Sequence, residues 1–158
     1  METQARRRKK ITNNNYNRIK YELVIKISSA EGIDNPTTYP YRVAFWIRPN
    51  DEYITQEAYG SPNLVWNSTC HIELDILSME DYRYLYLEVI RCGEAGSSGS
   101  EPGTSTGITL VGRAQIQLPK LWSKRGGRFE LFRPDGDGVS AQGHVHVSME
   151  ITNSYRFF

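Results

Sequence analysis

Three histidines, two cysteines and one Asp-Gly-Asp-Gly run are the residues of this 158-residue chain to which metal or nucleophile chemistry is open. His144 and His146 stand at i, i+2, so a strand would present both on one face, spaced to share a metal. Zinc wants a third and a fourth ligand, and Cys70-His71 is the other soft cluster; nothing in the sequence brings the two pairs together. The histidines therefore read as solvent-facing strand residues. Asp135-Gly136-Asp137-Gly138 matches the first half of a calcium loop but lacks the downstream Glu and the remaining oxygens, so it reads as a turn. There is no Gly-x-Ser-x-Gly elbow, no phosphate loop and no His-Glu-x-x-His. The cysteines and histidines show no nucleophile-and-base pattern, and no catalytic residue is expected.

Basic residues carry a second kind of chemistry, attraction to phosphate. Residues 1–20 hold seven basic side chains against Glu2, a net +6, while the remainder holds 12 basic and 17 acidic residues, a net −5. A basic arm thus precedes a mildly acidic body. Arg6, Arg7, Arg8, Lys9 and Lys10 suit an anionic phospholipid surface, where each contributes about 1 kcal/mol. The same run suits nucleic acid or a nuclear address, and a solvated tail is the plain alternative. A second cluster, Lys120, Lys124, Arg125, Arg128 and Arg133, surrounds Trp122. Basic charge beside an amphipathic indole fits a lipid or partner interface; the competing reading is a charged edge beside a core Trp. Trp46 and Trp66 read as packing residues.

The elements that must position these groups are strands. Tyr21, Leu23, Ile25 and Ile27 alternate with Glu22, Lys26 and Ser28, and Val24 is the exception. Further period-2 stretches run over Tyr41–Arg48, Tyr53–Ala58, Trp66–Ile76, Tyr84–Arg91, Ile108–Leu118, Arg128–Arg133 and a last strand whose Val145, Val147, Met149 and Ile151 point inward. In the stretch Ile108–Leu118, Leu110, Ala114, Ile116 and Leu118 are placed on the core side. Pro119–Arg125 is read as a helical turn. Apart from Pro102, residues 93–107 hold no apolar side chain larger than Ala and read as a long loop. Short strands with turn signals between them predict an all-β, eight-stranded antiparallel β-sandwich. The expected organisation is a basic arm over 1–19, the sandwich over 20–152 and a tail over 153–158. RRRKK is followed by ITNNNYN with no apolar stretch, so no signal peptide is expected. Two cysteines form no framework, which favours a reducing compartment.

The order of the pieces resembles the C2 domain, notably the small single-domain C2 proteins of plants. The stretches that carry the likeness are YELVIKISSAEGI, YPYRVAFWI, SPNLVWN, LYLEVI, LVGRAQIQLPKL, GGRFELF and GHVHVSMEI. Opening on YELVIKI and closing on an extra strand is similar to the family's type II topology. The resemblance implies phospholipid binding, usually through Ca²⁺ held by carboxylates from two loops. Here the ligand positions fall on Tyr39 and near Thr37 in the first loop, on Arg91 and Gly93 after the central strand, and on Ile108 and Thr109 before the Ile-Gly pattern. Asp34 is the one possible residual calcium ligand, with Glu94 and Glu101 in the long loop. No calcium site of the usual kind and no other cofactor is expected.

These readings converge on a non-enzymatic, calcium-independent C2-type membrane-docking or adaptor protein, at the cytoplasmic face of a membrane, with the nucleus as a second location. The resemblance implies plant stress or defence signalling. Two alternatives stand beside it: a nucleic-acid-binding viral coat-type sandwich with a basic arm acting through residues 6–10, and a pure protein-interaction module.

Overall fold

The computed structural model describes residues 19–33, 39–60, 63–75, 81–92 and 108–155. The arm residues Arg6–Lys10, the residual ligand Asp34 and the long loop 93–107 lie outside them. Eight strands follow in order: β1 (Ile19–Glu31), β2 (Tyr41–Trp46), β3 (Tyr53–Ile54), β4 (Asn63–Leu74), β5 (Tyr84–Cys92), β6 (Ile108–Gln117), β7 (Lys124–Asp135) and β8 (Gly138–Tyr155). All pairings are antiparallel, in the spatial order β3-β2-β5-β6-β7-β8-β1-β4. The first and last strands are neighbours, as the type II topology requires.

The eight strands curl so that both halves close over one core. Leu23, Ile25 and Ile27 of β1 and Val145, Val147 and Met149 of β8 face Val43 and Phe45 of β2 and Leu85, Leu87 and Val89 of β5. All of these are buried, and each contributes about 1.5–3 kcal/mol by leaving water. The fold closes through a single β6–β7 pairing, Arg113 with Phe132.

Two irregularities tune this frame. The corner Trp66-Asn67 sits opposite Ser28, where the β1–β4 register shifts, and Asn67 takes φ 46°, a conformation Asn tolerates. The buried Trp66 indole donates to the Tyr41 carbonyl at 3.1 Å, tying the corner to β2. In β6 the register slips between Gly112 and Leu110, so Val111 is the buried residue and Leu110 lies half-buried, contrary to strict alternation. Gly112 is needed there, because a Cβ would meet Leu131 Cβ at 2.9 Å.

Other boundaries differ from expectation in instructive ways. Residues Pro134 and Asp135 pair with Val139 and Gly138, leaving Gly136-Asp137 as a two-residue turn. Asn153, Ser154 and Tyr155 pair with Tyr21, Lys20 and Ile19. The 119–125 stretch is no helical turn: Leu121 and Trp122 form one tight turn and β7 begins at Lys124.

Candidate functional site

Antiparallel pairing gives the sandwich two poles. At the upper pole meet the end of β1, the start of β2, the end of β5, the start of β6 and the β7–β8 turn, as the pairs Tyr41–Arg91, Cys92–Ile108 and Glu31–His144 show. At the lower pole meet the start of β1, the end of β8 and the β6–β7 connection.

The upper pole carries the positions that the resemblance aligns with calcium carboxylates, and three of them come together. The Arg91 guanidinium carbon lies 5.0 Å from the centroid of the Tyr39 ring. Its Nη2 donates to Thr109 Oγ1 at 3.5 Å. The Cys92 N–H donates to the Pro40 carbonyl at 2.8 Å, fixing the entry to β2 against the end of β5. A guanidinium over a phenol ring is worth about 0.5–2 kcal/mol. Calcium takes six to eight oxygens, and a fixed guanidinium repels a dication. The described residues of this pole do not fit the ion: among them no group of three or more His, Cys, Asp or Glu side chains could hold a metal. Ile108 is exposed, and Gly93, Glu94 and Glu101 lie outside the described residues.

The lower pole is built on one strained turn. Trp122 has φ 70°, a left-handed conformation that costs a bulky residue about 1–3 kcal/mol. Three backbone bonds impose it. The Trp122 N–H donates to the Ile151 carbonyl at 2.9 Å, Ser123 N–H to the Lys120 carbonyl at 2.9 Å, and Ile151 N–H to the Ser123 carbonyl at 3.4 Å. The indole is thereby left 64% exposed, which excludes the core-Trp reading. Lys120, Lys124 and Arg125 are exposed around it, with Glu150 opposite Lys124. Arg128 lies farther along β7, where its Nη1 meets Glu31 Oε2 at 3.1 Å. Arg133 lies farther still, opposite Ser140 beside the β7–β8 turn. The sequence cluster therefore divides: Lys120, Lys124 and Arg125 stay with Trp122, Arg128 is engaged on the sheet, and Arg133 belongs to the other pole.

The soft residues do not converge. Cys70 stands opposite the buried Ile25 and packs against the core, while His71 points outward and lies 3.4 Å from Glu22 Oε1. His146 Nε2 is 3.6 Å from Glu31 Oε1. Burial pushes both thiols, Cys70 and Cys92, above their ordinary pKa, so they stay protonated and weakly nucleophilic at neutral pH.

Sequence reasoning missed one feature. On the outer face of β2, β5 and β6, Trp46 stacks on Tyr86 at 5.9 Å between centroids, and Tyr84 lies 6.1 Å from Tyr86. Trp46 and Tyr86, with Phe129 and the 41%-exposed Phe132 of β7, border a groove of about 680 Å³ crossed by the Glu88–Arg113 ion pair at 2.9 Å. Trp46 is thus a half-buried surface residue, whereas Trp66 packs in the core. The signal was present: Trp46, Tyr84 and Tyr86 occupy the outward phase of their strands.

No family model and no curated protein matches the sequence. Solved structures match the fold. A C2 domain of plant Extended Synaptotagmin 1 superposes with a TM-score of 0.59 at 14% identity, over 87% of this chain and 96% of that one. A C2 domain-containing protein from a gene described as elicitor-responsive gives 0.55 at 12%, over 88% and 93%. CC2D1B, whose structure is described as coordinating ESCRT-III activity during mitotic reformation of the nuclear envelope, gives 0.62 at 13%, over 85% and 63%. The chain has the fold of a C2 domain.

Proposed function

We propose that this chain is a non-enzymatic, calcium-independent C2-type docking protein for anionic membranes at their cytoplasmic face. The observation that carries the reading is the upper pole, where Arg91, stacked on Tyr39 and bonded to Thr109, stands where the fold's calcium carboxylates would converge. A protein cation there leaves lipid attraction to fixed charge. Arg6, Arg7, Arg8, Lys9 and Lys10, with Lys120, Lys124 and Arg125 around Trp122, supply it; Arg128, paired with Glu31, does not. A role in plant stress or defence signalling belongs to the same proposal, and the matched structure from a gene described as elicitor-responsive is what supports it.

Co-sedimentation with vesicles tests it. Anionic vesicles pull down the full chain equally in calcium and in chelator, neutral vesicles do not, and replacing residues 6–10 by glutamine or raising the salt releases it. Binding that requires calcium would contradict the reading.

A second reading has its own observation. The aromatic groove bordered by Trp46, Tyr86 and Phe132 is an exposed apolar surface of the kind that marks protein contacts. In that case the chain is a protein-interaction adaptor, and vesicles of either charge leave it in the supernatant.

A further inference from the structure

Resting on the lipid reading, we infer that the chain docks on an anionic membrane by its lower pole, end-on, with the Trp122 indole as the inserted group. This is the pole opposite the one that the resemblance assigns to calcium and lipid.

Four observations converge on it. The backbone bonds to Ile151 and Lys120 hold Trp122 outward in a conformation that a bulky residue otherwise avoids. An indole with an apolar body and a donor N–H is the side chain best suited to the headgroup boundary of a bilayer. Lys120, Lys124 and Arg125 are exposed beside it, where phosphate headgroups would lie. The chain also enters β1 at this same pole, since Ile19 pairs with Tyr155. From Ile19 back to Lys10 is nine residues, a reach of about 30 Å at most. The segment that carries basic residues 6–10 therefore joins the sandwich at the pole that Trp122 would enter.

Charge distribution selects the side of the pole and rejects the other end. The far side of the lower pole carries Asp51, Asp75 and Asp81 around Arg48, whose Nη2 is already held by Asp51 at 2.9 Å. At the upper pole Val139 is 65% exposed, but there Asp135 and Asp137 outnumber Arg133, and an anionic surface repels them. The lower pole joins an exposed aromatic ring to positive charge on one side.

Tryptophan emission tests the orientation. The full chain is mixed with phosphatidylserine vesicles containing lipid brominated near the headgroup. Emission shifts to the blue and is quenched, and Trp122→Phe abolishes the quenching; quenching that survives in Trp122→Phe and is lost in Trp46→Phe would overturn the orientation. Lys120→Glu with Lys124→Glu weakens vesicle binding by about five-fold per charge removed, or more. If the chain binds but its emission is unchanged, and Val139→Asp is what releases it, the orientation is overturned while the lipid reading stands. If the wild-type chain does not bind anionic vesicles at all, both fall.

Discussion

The two poles of this sandwich solve the same problem in opposite ways. Each must end several strands and satisfy their last backbone groups. At the upper pole one charged side chain turns inward: Arg91 lies over Tyr39 and bonds to Thr109, so its charge is engaged within the protein. At the lower pole the backbone is satisfied by the bonds around Ser123, and those bonds turn Trp122 out, among exposed basic residues. A pole whose polar chemistry is closed on itself contributes to stability. A pole that keeps backbone strain and holds an aromatic ring out among basic residues loses stability and keeps binding capacity.

The largest test of this contrast is Gly143→Ala at the upper pole. Gly143 has φ +100°, and a Cβ there would meet the Glu31 carbonyl oxygen at 2.5 Å and Gly32 at 2.9 Å, both backbone. Urea unfolding should show a loss of roughly 3 kcal/mol. A loss below about 1 kcal/mol would mean that the ends of β1 and β8 part easily.

Arg91→Ala removes the ring contact and the bond to Thr109. The expected cost is about 1–2 kcal/mol, with faster hydrogen exchange around Tyr39–Tyr41 and unchanged vesicle binding. Trp122→Gly has the opposite sign. Glycine accepts φ 70° without strain, so stability should rise by about 1 kcal/mol while vesicle binding falls. A variant that loses both stability and binding would show that the indole packs rather than docks.

The smallest effect is with pH. Burial raises the pKa of Cys70, Cys92 and Tyr53, with the Asp51 carboxylate adding to it for Cys70 and Tyr53. Each group is neutral when protonated and harder to ionise in the folded state. Their contribution is therefore complete below the ordinary thiol range and is lost as pH rises through the raised values. Thermal melting should be flat from neutral to mildly alkaline pH and fall beyond about pH 9. Cys70→Ala should blunt that fall.

Much of the frame was legible in the sequence because alternation is a local signal. Ile25, Ile27, Leu85, Leu87, Val147 and Met149 all face inward as their phase dictates. Leu110 failed because a bulge shifts the phase, and only its partner strand β5 shows where it falls. The exposure of Trp122 was hidden for a related reason. Its backbone is set by Ile151, 29 positions later, which no local pattern reveals. The meeting of Tyr39, Arg91 and Thr109 was half legible: the family alignment placed all three at one site, but their mutual contact follows from the pairing of β2 and β6 with β5. The division of the basic cluster required the fold outright, since Arg128 finds Glu31 across 97 positions.

The most direct measurement compares the two poles in one assay. Phosphatidylserine vesicles are sedimented with wild type, Trp122→Gly and Arg91→Ala, each in calcium and in chelator. Wild type and Arg91→Ala should pellet equally in both conditions, and Trp122→Gly should stay in solution in both. Loss of binding in Arg91→Ala with retention in Trp122→Gly, or a requirement for calcium in the wild type, would contradict calcium-independent docking by the lower pole.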